Sequence, residues 1–529
     1  MSGTHPAEAM SQPTPTSTPA ARRRRRLATI GAFLLAFALL YLSRLPLLWS
    51  GRLVPDGDEA VAGLMAVRLL DAGEVPVYFW GQNYGLASLE TGVASIFFST
   101  FGISATALKA AMLVLWAAGG AFLSLAARRL AGAGAGLAVI ALLAASPAWG
   151  EWAMKARGGY LTAFLVSAIV IWALAPRRDA SPLLLWAAIG AGVTLVYLAH
   201  PLWFLLLLPL LGLRAWEGRG ARMAAAFACG ALPPALMGWL GRTASPTWAP
   251  GMFAGADPLH ALTRLPSRLV VHFSGAYLFE RSYLPDAPAS QGAAAIWLIL
   301  FASALVVLLT LPRDAARPAG MLVAGMGCVL LFSLCIAEPA FGYRYLLPVS
   351  GALPLLLALV VPRLFESRSR GRWSAGAALL LLLGAGTLAL MEVPSRAART
   401  LPDDPYALEA GEVGRLLAEI RGAQVAHVYS LDPLLQWNLM FASRGEVLAR
   451  WLTASDRRPG IPIAIDAAVA GGAPVVLAAR RSQAEYLRSR LGEARAQELP
   501  TALVTRHLIL LAGLTVEDLR ALGFEAAGG

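Results

Sequence analysis

Apolar residues gather in runs long enough to cross a bilayer, and the polar positions between them are short and set with arginine, proline or glycine. A bilayer core takes about 20 residues of helix. The runs fall at 27–42, 105–127, 135–149, 160–175, 183–199, 201–213, 223–240, 294–311, 319–337, 345–361 and 374–391. They predict a mainly α, polytopic membrane helical bundle of about eleven transmembrane helices, spanning 27–391. Two longer polar stretches interrupt it, a first loop at 50–104 and another at 241–293. From Glu392 the pattern becomes that of a soluble protein, with strand-like runs at 425–430, 474–478 and 507–511 and a helical stretch at 407–421. This predicts a small C-terminal extracytoplasmic α/β domain over 392–529. No glycine fingerprint opens a helix after any of those strands, so a nucleotide site there is unsupported.

Composition agrees: 57% of the chain is hydrophobic and 14% charged, which excludes a single water-facing globule. The three cysteines lie inside apolar runs without metal-knuckle or disulfide spacing. Residues 1–26 form a disordered, basic cytoplasmic N-terminus that is rich in Ser, Thr and Pro and ends in Arg22–Arg26. No small-residue cleavage site follows the next run, so it is an uncleaved first helix.

The net charge of +12 is almost entirely arginine. With eleven spans, Arg22–Arg26, Arg128–Arg129, Arg177–Arg178, Arg214–Arg222, Arg313–Arg317 and Arg363–Arg372 all fall on the cytoplasmic side. One broken helix at His200-Pro201 would send the later clusters outside, so that break is read as a boundary between two spans. Topology therefore explains the charge, and no nucleic-acid partner is expected. The same reading places 50–104, the turns at 150–159 and 338–343, 241–293 and the tail on the outer face of a bacterial-type inner membrane.

Candidate chemistry concentrates on that face. Pro55-Asp56-Gly57-Asp58-Glu59 opens an amphipathic helix, with Asp58 suited to its N-cap and Glu59 to its first turn. Clustered acids at a membrane surface also gain proton affinity, as a general base requires. Trp80, Gln82, Asn83 and Tyr84 mix aromatic rings with amides, which suits a sugar, and Glu90 follows inside an apolar run. Lys155, one of two lysines in the chain, and Arg157 precede Gly158-Gly159-Tyr160, and Tyr343-Arg344-Tyr345 puts an arginine against the inside bias. These cations suit a phosphate, although each also serves as an interfacial anchor. Asp56, Asp58 and Glu59 are hard oxygen ligands, yet one acidic cluster does not complete a metal site, so no cofactor is expected.

The order of these motifs resembles the GT-C superfamily of polyprenyl-phosphate-sugar-dependent membrane glycosyltransferases, near its protein O-mannosyltransferase and aminoarabinose-transferase branch. The resemblance covers roughly 27–391. It implies Asp58 as the catalytic base, with Glu59 beside it, and a polyprenyl-phosphate-linked sugar as donor. An extracytoplasmic acceptor, whether lipid, glycan or protein, would receive a hexosyl or pentosyl group with inversion. Asp56, Trp80, Gln82, Asn83, Tyr84, Glu90, Lys155, Arg157, Tyr343 and Arg344 would bind substrate. The aminoarabinose-transferase Glu-Lys-Pro segment is absent, and Trp80-Gly81-Gln82-Asn83 stands in that neighbourhood. The alternatives are a transporter or lipid flippase, for which inverted repeats would speak and none is found, and an anchored scaffold whose tail binds a partner.

Overall fold

The computed structural model describes residues 19–49, 54–175, 182–217, 220–242, 257–274, 288–310, 313–334, 342–360, 411–454 and 457–527. Every predicted apolar run except 374–391, which lies outside the described residues, coincides with a helix. These are α1 (Pro19–Trp49), α4 (Ala105–Ala131), α5 (Ala133–Ala145), α6 (Tyr160–Leu174), α7 (Pro182–Ala199), α8 (Pro201–Glu217), α9 (Ala221–Leu240), α11 (Pro288–Thr310), α12 (Arg313–Leu334) and α13 (Leu347–Val360). Between them lie α2 (Gly57–Ala72), α3 (Ser88–Phe101) and α10 (Pro258–Ser274).

Among the described residues five helices are individually long and apolar enough to cross a membrane: 23–49, 105–131, 182–199, 221–240 and 316–334. A sixth span is possible if α5 and the 3-10 turns at Pro147–Met154, bent by 66°, are one broken crossing. The apolar stretch of α4 is 78% buried, against 6% in α9, so α4 is the central helix and α9 a peripheral one. Arg44, fully buried on α1, binds the break after α5. Its guanidinium donates to the carbonyls of Leu143 and Ala144 at 3.0 and 2.8 Å and to that of Trp149 at 3.3 Å. A helix end turned inward keeps its orphan carbonyls satisfied in this way.

His200-Pro201 divides two helices, α7 and α8, which pack on each other. The 241–293 stretch, expected as a loop, contains α10. One side of α10 buries Arg268, Val271, His272 and Phe273 while Leu259 and Leu262 stay exposed. Its amphipathic period is plain in the sequence, but the segment is too polar to count as a span.

The tail carries a five-stranded sheet in the order β2-β1-β3-β5-β4. The strands are β1 (His427–Ser430), β2 (Leu448–Arg450), β3 (Val475–Arg480), β4 (Thr501–Leu503) and β5 (Leu508–Ala512). β1, β2 and β3 run parallel, whereas β5 pairs antiparallel with β3 and β4. Sequence reading had found β1, β3 and β5; the other two are only three residues long. Alternation divides the sheet's residues between two cores. Tyr429, Leu477 and Leu511 face a core of the tail's own, while Val428, Ala478 and Leu510 join the apolar cluster that runs through the bundle.

The helix Leu435–Ala442 makes that junction by lying on α2. A Cβ at Gly57 would stand 2.8 Å from Leu434 Cδ2, and one at Gly63 would stand 2.4 Å from Phe441 Cε2. Such approaches admit no side chain without displacement, so the tail is seated directly on the helix that presents the acids.

Candidate active site

The N-cap of α2 is Asp56, not Asp58 as expected. Asp56 has extended backbone (φ −77°, ψ 175°), its Oδ1 accepts the Glu59 N–H at 2.9 Å, and Glu59 Oε2 accepts the Asp56 N–H at 3.1 Å. The reason is spacing, because a capping box needs its second member three residues on, and only Asp56 has an acid there. Asp58 is thereby moved into the first turn.

Both lysines of the chain bind this motif. Lys109 Nζ on α4 lies 2.6 Å from Glu59 Oε1, with both side chains almost wholly buried. Lys155 Nζ lies 2.9 Å from Asp56 Oδ2 and 3.5 Å from Glu151 Oε1. Arg157 reaches Asp58 Oδ2 at 2.6 Å through one terminal nitrogen and Asp56 Oδ2 at 3.5 Å through Nε. Arg457, from the tail, takes the other Asp58 oxygen. Glu59, expected as a second catalytic acid, is thus a fully buried anchor joining α2 to α4, while Asp58 remains a fifth exposed. The acids are held by lysine and arginine.

The electrostatics follow. Burial alone would raise both aspartates. For Asp56, Arg157 and Lys155 outweigh it and hold the carboxyl well below the usual range. At Asp58, Arg457 and then Arg157 outweigh burial, Asp56 opposes them, Arg344 assists, and the net shift is downward. Burial would lower Lys155, but Asp56 and Glu151 more than compensate, so it stays an ammonium.

Glycines bring the remaining groups together. Gly158 and Gly159 have φ of +56° and +95°, conformations that favour glycine. A Cβ on Gly159 would stand 2.6 Å from the Ala199 carbonyl at the end of α7. Gly85 and Leu86 donate their N–H groups to Leu198 O at 3.0 and 3.2 Å. The first loop, the start of α6 and the end of α7 therefore meet at one point. Glu90 Oε1 lies beneath it, accepting N–H bonds from Gly159, Leu161 and Thr162 at 3.0, 3.1 and 3.3 Å. It serves as a helix cap from a distance and not as an open substrate contact.

Burial pushes the Glu90 carboxyl up to about 7, against the pull of those N–H groups. The folded chain then holds a proton that the unfolded chain releases near its ordinary value. Stability falls as pH rises through that interval, by roughly 3 kcal/mol in all. Glu90→Gln should remove most of this slope. Thermal unfolding of detergent-solubilised protein between pH 4.5 and 7.5 checks it: the stability of the parent relative to the variant should fall as pH rises, while the other titrating groups act on both alike. Parallel curves would contradict the assignment.

The aromatic segment borders the acids. Half-buried Trp80 has its ring 6.4 Å from Trp437 and 4.8 Å below the Arg458 guanidinium. Gln82 donates its backbone N–H to Phe79 O at 3.0 Å, and Gln82, Asn83 and Tyr84 are all half-buried. Burial raises the Tyr84 phenol while Arg344 and Arg457 pull it down. Arg344, in a 3-10 turn at Gly342–Leu346, lies within electrostatic reach of Asp58, Tyr84 and His200. The His200 ring is 4.2 Å from that of Tyr160. Tyr343 belongs to the same turn, and its side chain lies outside the described residues.

Asp56, Asp58, Tyr84, Arg157 and Arg344 therefore come together, Lys155 sits behind them, and Trp80 borders the tail. Sequence reading missed Lys109, placed inside an apolar run, and Arg457, which is 399 residues from its partner. A lone lysine in a spanning run was the one available signal for the first; nothing local marks the second.

No protein-family model matches the chain, and no curated protein is similar to it in sequence. Its fold does match solved structures. The crystal structure of ArnT from Cupriavidus metallidurans in the apo state aligns with a TM-score of 0.56 at 14% identity, covering 96% of this chain and 100% of that one. ArnT from the same organism bound to undecaprenyl phosphate aligns with a TM-score of 0.56 at 15% identity, covering 93% and 98%. The chain thus has an ArnT-like fold, a helical membrane bundle with a C-terminal domain.

Proposed function

We propose that the protein is an inner-membrane glycosyltransferase that moves a hexosyl or pentosyl group from a polyprenyl phosphate to a hydroxyl of an extracytoplasmic acceptor, with inversion. The observation that carries this reading is Asp58, partly exposed at the start of α2, flanked by Arg157 and Arg457 and within reach of Arg344. The fold shared with an undecaprenyl-phosphate-bound ArnT supports a lipid-linked donor. The arginine-rich segments support a cytoplasmic N-terminus, with the site and the tail on the opposite face.

In this reaction Asp58 takes the proton of the acceptor hydroxyl as its oxygen bonds to the anomeric carbon. The bond from that carbon to the phosphate oxygen breaks on the opposite side, and its electron pair leaves with polyprenyl phosphate. The phosphate gains a charge in this step, and arginines already in position stabilise it without reorganisation. Arg157 and Arg344 fill that role. Lys155, 1% exposed and held by two acids, positions Asp56 instead. Trp80, Gln82, Asn83 and Tyr84 border the sugar.

Purified protein in lipid vesicles, given a panel of polyprenyl-phosphate sugars and envelope lipid, glycan and peptide acceptors, tests the reading. Release of polyprenyl phosphate with labelling of one acceptor class is expected. Movement of the donor across the vesicle without release would replace transfer by transport.

A further inference from the structure

We propose that Arg457, supplied by the C-terminal domain, is a ligand of the donor phosphate and holds Asp58 as an ion pair until that phosphate takes its guanidinium over. The proposal rests on the glycosyl-transfer reading above and gives the tail a part in the reaction.

The two oxygens of Asp58 are divided between two parts of the chain. Arg157 of the bundle takes one and Arg457 of the tail the other. A carboxylate with both oxygens on guanidinium groups is a poor base, because protonation would forfeit both pairs. Arg457 is a quarter exposed, so an incoming anion can reach it. Its guanidinium also lies 4.9 Å from the Phe79 ring centroid, which fixes its position over the aromatic segment. Guanidinium groups bind phosphate oxygens as readily as carboxylates, and often through two parallel bonds. A phosphate arriving between Arg157, Arg344 and Arg457 competes with Asp58 for the same donors. The acid it displaces is then free to accept the acceptor's proton.

The rest of the tail keeps Arg457 in place. Arg458 binds both Glu74 oxygens at 3.2 and 3.4 Å and covers Trp80. The helix Leu435–Ala442 lies on α2 with no room for a side chain at Gly57 or Gly63. The tail is thereby a fixed wall of the site, and its arginine arrives with the register of α2.

Arg457→Ala, Arg457→Lys and the distant surface control Arg421→Ala are compared with the parent in two assays. Binding is read with polyprenyl phosphate alone, and turnover with the donor that the parent accepts. Removing one such charge-stabilising donor costs on the order of a hundredfold in turnover, and Arg457→Ala should also bind polyprenyl phosphate about tenfold more weakly. Arg457→Lys should recover part of both losses and Arg421→Ala should match the parent. A role in folding alone would not move the pH profile. In Arg457→Ala the acid limb of kcat/KM should shift to higher pH, because Asp58 has lost a cation. A parent that neither binds polyprenyl phosphate nor turns over would overturn the glycosyl-transfer reading. A competent parent with Arg457→Ala equal to it in affinity and acid limb would overturn this inference alone.

Discussion

Asp58→Asn should reduce turnover by about a thousandfold, within the range of a general base, while binding of polyprenyl phosphate is kept or strengthened. The amide preserves size and shape and cannot accept the proton. It also releases Arg157 and Arg457 from their carboxylate, which leaves both guanidinium groups to the phosphate. Few residues give opposite signs for binding and catalysis, so the pair of measurements is informative. Loss of binding in parallel with turnover would make Asp58 a structural partner of the arginines. Unchanged turnover would remove it as the base.

The second large effect concerns stability. Lys109→Met leaves the Glu59 carboxylate buried without its cation, and breaking such a pair from one side costs about 3–5 kcal/mol. The paired atoms are 2.6 Å apart and both side chains are essentially inaccessible. Because Glu59 also closes the capping box with Asp56, the start of α2 loosens and Asp58 loses its position. Adding Glu59→Gln removes the orphaned charge while keeping an acceptor for the Asp56 N–H. The double variant should therefore regain most of the lost thermal stability and much of the activity. A stable but inactive double variant would restore Glu59 to the chemistry.

How much of this was legible in the sequence depended on how local the cause is. Apolar runs became helices because burial and backbone satisfaction in lipid act within one segment. The acids at 56, 58 and 59 and the Gly158-Gly159 pair were visible for the same reason. The capping register was also written locally, as Asp56 and Glu59 three apart, and was misread by assigning the cap to Asp58. What could not be read is set by packing between distant elements. Glu90 looked like a substrate ligand until α6 was seen to start above it. Lys155 looked like a phosphate ligand until Asp56 and Glu151 were found on either side of it. The tail looked like an appended domain, and one face of its sheet proves continuous with the core of the bundle. Nothing near Arg457 announces Asp58, because packing of the tail on the first loop joins them, through the helix Leu435–Ala442 on α2 and Arg458 on Glu74.

The central claim is that the arginines around Asp58 receive a lipid-linked phosphate. Native mass spectrometry of the purified protein with added polyprenyl phosphate tests it most directly. The account predicts one saturable polyprenyl phosphate per chain, lost or strongly weakened in an Arg157→Ala, Arg344→Ala double variant compared with the parent at a temperature where both are folded. Equal occupancy in parent and double variant, or no adduct above that seen with ordinary phospholipid, would contradict it.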